Sequence, residues 1–236
     1  MRSRQHLLIR LLTVVALVLG GTTLVAAPAA SAAVRSGATT TICGYTPVPT
    51  GWVIVSQTSS GCSGYGQRTI MQLTTETTVQ ACANSPIPDA WVITAMQNGA
   101  GCAGFPLYTL LKITTQTTVT DCAQSAIPNG WVIIAVQTAG TPCGTYGTYT
   151  VTRLTTQTSI DVCAQSAIPD GWVITAIRTA DTPCGVYGLY TLAKITSQTS
   201  MQVCGNSAIP AGWTVTGRGP GPQCGNYTVY TIQRTA

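Results

Sequence analysis

Apolar and polar residues follow one pattern that recurs five times along this chain of 236 residues. Its clearest copy, residues 167–176, reads AIPDGWVITA, a proline-glycine turn followed by a run dense in valine, isoleucine and threonine. The other copies read PVPTGWVIVS (47–56), PIPDAWVITA (86–95), AIPNGWVIIA (126–135) and AIPAGWTVTG (208–217). The tryptophans lie at positions 52, 91, 131, 172 and 213, so the period is 39 to 41 residues. Self-similarity at such a period predicts tandem structural units.

Each unit contains three short stretches rich in β-branched residues, which predict three β-strands. Strand a ends at the first cysteine of the unit, strand b begins at the tryptophan, and strand c follows the second cysteine. The predicted a strands are Thr39–Cys43, Thr77–Cys82, Thr117–Cys122, Thr158–Cys163 and Thr199–Cys204, and residues 190–195 exemplify strand c.

Side chains of a β-strand alternate between its two faces. In strand b of the fourth unit, this alternation predicts that Trp172, Ile174 and Ala176 share one face. Val173, Thr175 and Ile177 are then expected on the opposite face. Because the tryptophan shares its face with isoleucine, it is expected to point inward.

Helical periodicity is absent after the first 33 residues, so the sequence predicts an all-β fold of five tandem units. The units are residues 34–75, 76–115, 116–156, 157–197 and 198–236. A stacked or beaded array is the preferred arrangement, and a closed five-bladed ring resembling a propeller is the alternative. Propeller blades usually have four strands, so three strands in each unit favour the open array.

Ten cysteines, two in each unit, predict a framework of disulfides. Pairing within units gives Cys43–Cys62, Cys82–Cys102, Cys122–Cys143, Cys163–Cys184 and Cys204–Cys224. Pairing across the c–a hairpins instead gives Cys62–Cys82, Cys102–Cys122, Cys143–Cys163 and Cys184–Cys204. That alternative leaves Cys43 and Cys224 to pair with each other, which requires a closed ring. The sequence favours pairing within units because the array begins with the first cysteine of a unit and ends with the second cysteine of a unit. Spacing alone leaves both patterns of pairing open.

The first 33 residues have the composition of a secretory signal peptide. Arg2, Arg4 and Arg10 flank a short apolar segment, residues 11–20, and cleavage is expected after Ala32 or Ala33. The apolar segment is too short to span a bilayer comfortably. The alanine-rich leader resembles those of actinobacteria. The sequence therefore predicts a secreted, extracellular protein of bacterial type.

Removal of the leader changes the charge and the chemistry that is available. Of eleven basic residues, three are lost, and with six acidic residues the mature net charge is 8 − 6 = +2. A field this weak predicts binding neither to nucleic acid nor to a membrane. The one histidine, His6, is lost with the leader, so catalytic arrangements that depend on histidine are not expected.

The tryptophan row is the first candidate binding feature. Two interpretations remain open: the rings form the core of each unit, or they are exposed platforms on which sugar rings stack. Five platforms at a fixed spacing would bind a polymer with avidity. The row consists of Trp52, Trp91, Trp131, Trp172 and Trp213.

A second candidate row lies in strand c, where a tyrosine is followed four residues later by a cation. An even spacing puts both side chains on the same face, where they could form a polar site for carbohydrate or an anionic wall polymer. The alternative is a solvated face on which the alkyl stem covers the ring. The pairs are Tyr108 and Lys112, Tyr149 and Arg153, Tyr190 and Lys194, and Tyr230 and Arg234, whereas the first unit has Arg68 and Gln72.

These patterns predict a secreted, non-catalytic repeat protein that binds cell-surface or cell-wall carbohydrate multivalently. Two other functions stay open, namely a structural exoprotein of a coat, matrix or fibre, which could self-associate, and an inhibitor or toxin-associated module. No cofactor is expected. A zinc site is not expected either, because the cysteines of a unit are 19 to 21 residues apart and form no C-x₂-C pair.

Overall fold

A computed structural model describes residues 37–138, 142–180 and 182–235, and the predicted leader, residues 1–33, lies outside these ranges. The described residues form fifteen strands. Strand a of each unit is β1 (Thr39–Cys43), β4 (Thr78–Cys82), β7 (Thr118–Cys122), β10 (Ser159–Cys163) or β13 (Ser200–Cys204). Strand b is β2 (Trp52–Thr58), β5 (Trp91–Gln97), β8 (Trp131–Gln137), β11 (Trp172–Arg178) or β14 (Trp213–Gly219). Strand c is β3 (Gln67–Gln72), β6 (Leu107–Lys112), β9 (Thr148–Arg153), β12 (Leu189–Lys194) or β15 (Val229–Arg234).

The prediction of an all-β fold with three strands in each unit is confirmed. Every unit is a three-stranded antiparallel sheet in which strand c is central and strands a and b are the edges. Single-turn 3-10 helices occur beside the second cysteine at Cys62–Gly64, Gly185–Tyr187 and Pro222–Cys224. The five sheets do not close on one another, so the open array is the architecture.

One disulfide staples each sheet, and all five lie within units. Each joins the end of strand a to the turn that precedes strand c, with Cα–Cα distances of 5.2 to 5.6 Å. Cys43 is bonded to Cys62 and Cys224 to Cys204, so the bond that a closed ring would need is not made. The staple ties an edge strand to the central strand in every unit.

Strand b does not keep the strict alternation that the sequence predicted. In the fourth unit, Thr175 is an extra residue, because Ile174 pairs with Leu192 and Ala176 pairs with the next residue, Thr191. Such a β-bulge shifts the faces of all later residues in the strand. Ile177 therefore packs in the same cluster as Trp172 and Ile174, and its predicted position on the opposite face was wrong. All five b strands have the bulge at this place.

Consecutive units are joined along the outer edge of strand b. Directly before the bulge, the backbone N–H of an isoleucine donates to the hydroxyl of a serine in the next unit. These bonds are Ile54 to Ser85, Ile93 to Ser125, Ile133 to Ser166 and Ile174 to Ser207, with N···Oγ distances of 2.9 to 3.1 Å. An edge strand with unpaired donors invites aggregation, and here the following unit satisfies them.

Apolar packing accompanies these hydrogen bonds. Val53 of strand b is fully buried against Val79 and Trp91 of the second unit. Val132 packs in the same way against Val162 and Trp172. Each sheet is thus too small to bury its own faces and depends on its neighbour, as in other repeat proteins.

The two end faces of the array carry polar residues where the internal interfaces are apolar. Thr40 is exposed at the position that Val79 occupies in the second unit, and Thr214 is exposed at the position of Val173. Arg218 covers the ring of Tyr230, with its guanidinium carbon 5.2 Å from the ring centre. Polar outer faces of this kind cap a repeat array and keep it soluble.

We predict that the disulfides of the array differ in their access to reductant. Four pairs are fully buried, whereas Cys43 and Cys62 are half-buried because no sheet of the described part of the chain packs over them. Since thiol–disulfide exchange requires access to sulfur, Cys43–Cys62 is expected to be reduced about tenfold faster than the others. Timed alkylation and peptide mapping under native conditions measure this. Cys204–Cys224, in the other end unit, is the matched control, and equal rates for both would contradict the packing described above.

Asp121 is a buried acid at the interface of the second and third units. It is 0 % exposed, and neither carboxylate oxygen has a hydrogen-bond partner among the described residues. The matching positions of other units hold Ala81, Val162 and Val203. Burial away from water raises the pKa of Asp121 from its ordinary 3.8 to about 7.

We therefore predict that Asp121 makes the protein less stable as pH rises. The folded state holds the proton more tightly than the unfolded state, so its contribution is complete below about pH 4 and is lost as pH rises through 7. The loss amounts to at most about 4 kcal/mol. The variant Asp121→Val should raise the melting temperature at pH 8 and have a smaller effect at pH 4.

The matched control for this prediction is Asp170→Asn. Asp170 is an exposed turn residue, and the third unit has Asn129 at the same position. Melting curves of both variants between about pH 4 and 8 are compared with those of the unchanged protein. If Asp121→Val shows the same dependence on pH as Asp170→Asn, the buried acid is not its cause.

Candidate functional site

The tryptophan row is mostly core. Trp91, Trp131 and Trp172 are only 5 to 6 % exposed, because each is packed between its own sheet and the neighbouring units. Trp52 and Trp213 are half-buried, since among the described residues the first and fifth units have a neighbouring unit on one side only. The interpretation of these rings as exposed sugar platforms was therefore wrong for the three internal units.

The tyrosine and cation of strand c do not form one site. They lie on the same face, but four residues of extended strand separate them by about 13 Å, and a buried apolar residue such as Leu192 stands between them. Tyr190 is packed at the unit interface, where its hydroxyl accepts from Asn206 Nδ2 at 3.3 Å. Lys194 is at the other end of the strand, opposite Trp172. The predicted shared polar site is thus split between the two edges of the array.

The edge of the array at which the cations of strand c lie, such as Lys194, is called the cation edge. It has shallow clefts between consecutive proline-glycine turns. Their volumes are about 400 to 500 Å³, and one is lined by Asp89, Asn129, Trp131 and Arg153. In the last cleft Arg234 is already engaged, because it donates to the Thr196 carbonyl at 3.0 Å and lies 5.6 Å from the Trp213 ring. These clefts could hold small polar groups.

The opposite edge, beside the disulfides, presents a row of exposed aromatic rings. One ring stands three residues after the second cysteine in every unit, and we call this set the aromatic row. Its members, with their exposed fractions, are Tyr65 (69 %), Phe105 (46 %), Tyr146 (57 %), Tyr187 (51 %) and Tyr227 (49 %). Large aromatic rings are seldom left in water without a purpose, and a repeated set of them is the strongest binding feature of the surface.

The same backbone turn holds each ring of the aromatic row. In all five units the ring residue donates its backbone N–H to the carbonyl of the second cysteine, at 3.0 to 3.4 Å. In the first two units Ser63 and Ala103 adopt positive φ angles of 60° and 49° to make this turn. Non-glycine residues in this region carry strain, which persists only where the surrounding structure enforces it.

In the second, third and fourth units, the preceding unit fixes the position of the loop as well. Strand b of the first three units donates a backbone N–H to the loop of the following unit, from Gln57 to Gly101, Met96 to Pro142 and Val136 to Pro183, at 2.8 to 2.9 Å. The disulfide and this bond anchor the loop on two sides. A ring held in this way loses little freedom when it binds, which favours affinity.

Charge is scarce around the aromatic row. The three residues that follow the second cysteine include no acid or base in any unit. Arg178 ends strand b at this edge in the fourth unit, and it is paired with Asp161 in an ion pair. The row is therefore a neutral, aromatic surface.

Sequence analysis missed this row because it aligned the units on tryptophan and on the tyrosine of strand c. Counting from the second cysteine would have found it, since positions 65, 105, 146, 187 and 227 are all aromatic. Exposure could not be read from the pattern, because strand and loop tyrosines look alike in a sequence.

Among the described residues, no group of three side chains could hold a metal ion, and no helix is long and apolar enough to cross a membrane. No protein-family model, curated protein or solved structure matches this chain.

Proposed function

We propose that this is a secreted, non-catalytic repeat protein that binds cell-surface or cell-wall carbohydrate through the aromatic row. The observation that carries the proposal is the presence of one exposed ring, held by the same turn, in each of five consecutive units. Sugar rings have apolar faces that stack on aromatic rings. A polymer that contacts several rings gains avidity without any single tight site.

Secretion is part of the proposal. Five buried or half-buried disulfides with no free cysteine among the described residues are typical of proteins from oxidising compartments. The composition of residues 1–33 points the same way. Rigid, stapled units also suit a protein that works outside the cell.

A structural exoprotein has less support. Assembly into a fibre by continued stacking would need apolar end faces, and Thr40 and Thr214 make those faces polar. Repetition alone fits both functions, but exposed rings at matching positions favour a ligand that contacts several units.

We predict that truncation of rings in the aromatic row lowers retention on the glycan. Tyr146→Ala, Tyr187→Ala and their combination are tested by pull-down on cell walls, chitin and cellulose. Each lost stacking contact should cost about 1 kcal/mol, roughly a fivefold loss of affinity, and the double variant should lose more. Free oligosaccharide should elute the unchanged protein.

Two control variants make this test specific. Val186→Ala removes a side chain that is 92 % exposed beside Tyr187 but is not aromatic, and retention should not change. Tyr187→Phe keeps the ring, as Phe105 does in the second unit, and should retain binding. Unchanged retention of the double alanine variant, or equal losses in the controls, would rule out the aromatic row as the binding site.

A further inference from the structure

We infer that the ligand of the aromatic row is an uncharged, extended polysaccharide, recognised by its ring faces and not by phosphate or carboxylate groups. This inference rests on the proposed function and narrows it to one class of glycan. Repetition of the rings alone fits neutral and anionic wall polymers equally well, and the inference selects the neutral ones.

The aromatic row lies on an open surface. Small ligands usually occupy concave sites that bury most of their area. Here the rings stand on separate units of one array and are about half exposed or more. A short sugar could reach one ring at a time, whereas an extended chain could contact several.

Each loop has a glycine one or two residues before its ring. Gly104 and Gly185, with φ angles of 90° and 57°, have open space where a side chain would begin. In the first two units the glycine directly precedes the ring, as Gly104 precedes Phe105. The missing side chain leaves room for the flat face of a sugar to approach the loop closely.

In the three internal units, charges that could recognise an anionic polymer are distant or already paired. The cations of strand c, such as Lys112 and Lys194, lie at the end of that strand far from the rings, about 17 Å away along six residues. Close to the rings of these units, Arg178 is paired with Asp161. Arg68 and Arg218 reach this edge only in the first and fifth units, so a phosphate or carboxylate at the three internal rings would find no unpaired cation placed to receive it.

Phe105 adds an argument about the recognised group. Four members of the aromatic row are tyrosines and one is phenylalanine, so the ring is common to all units and the hydroxyl is not. Recognition through hydrogen bonds from the phenol to charged groups would leave the second unit without its contact. Recognition through ring faces uses all five units equally.

The test measures retention of the full-length secreted protein on insoluble glycans at different salt concentrations. The probes are chitin and cellulose, which are uncharged, and cross-linked polygalacturonate, which is anionic. Salt is varied between about 0.05 and 1 M NaCl, where screening at the upper end confines charge interactions to about 3 Å. The variant with all four tyrosines replaced, Tyr65→Phe, Tyr146→Phe, Tyr187→Phe and Tyr227→Phe, is measured beside the unchanged protein.

The expected result is retention on chitin or cellulose that changes less than about twofold over this salt range, for both proteins. A loss of about tenfold or more in high salt, or retention on polygalacturonate alone, would overturn the inference and leave glycan binding intact. Loss of binding in the phenylalanine variant would also overturn it. Absence of retention on every glycan would instead mean that the proposed function fails.

Discussion

The hydrogen bond between strand b of one unit and the serine of the next is the contact on which this array depends. Strand b is an edge strand, and its bulge leaves backbone N–H groups that its own sheet does not pair. A buried donor without a partner costs about 1 to 3 kcal/mol, so the interface forms only if the next unit supplies an acceptor. Ser85, Ser125, Ser166 and Ser207 supply it at all four internal interfaces.

Two features of the molecule follow from that contact. The unit that supplies the acceptor serine also packs its disulfide against the preceding sheet. In the second unit, Cys82 and Cys102 pack on Ile54 and Ile70 of the first unit. The loop after the disulfide is thereby fixed at one edge of the array, where its ring faces solvent. The aromatic row is regular because the units stack in one way, and the loops of the second, third and fourth units are each anchored by two units.

Most of the fold could be predicted from the sequence because it depends on local patterns. β-Branched runs and turn residues placed the a strands within one residue of their observed start, as Thr77 against Thr78 shows. The bulge could not be predicted, because Thr175 has no feature that distinguishes an extra residue from a paired one. Alternation therefore failed for Ile177, which lies beyond the bulge. The binding candidates failed for two different reasons. Burial of Trp131 arises from stacking between units, which no single repeat reveals. Tyr190 and Lys194 share a face but are separated by the rise of the extended strand, about 13 Å over four residues.

Amide hydrogen exchange at strand b tests this account most directly. Ile54, Ile93, Ile133 and Ile174 each donate to a serine of a following unit, whereas Val215, at the same position of the fifth unit, has no such acceptor among the described residues. The account predicts that the four isoleucine amides exchange slowly, and that the Val215 amide exchanges much faster. Protection of Val215 equal to that of the isoleucines, or rapid exchange at all five positions, would contradict the claim that each unit is completed by the next.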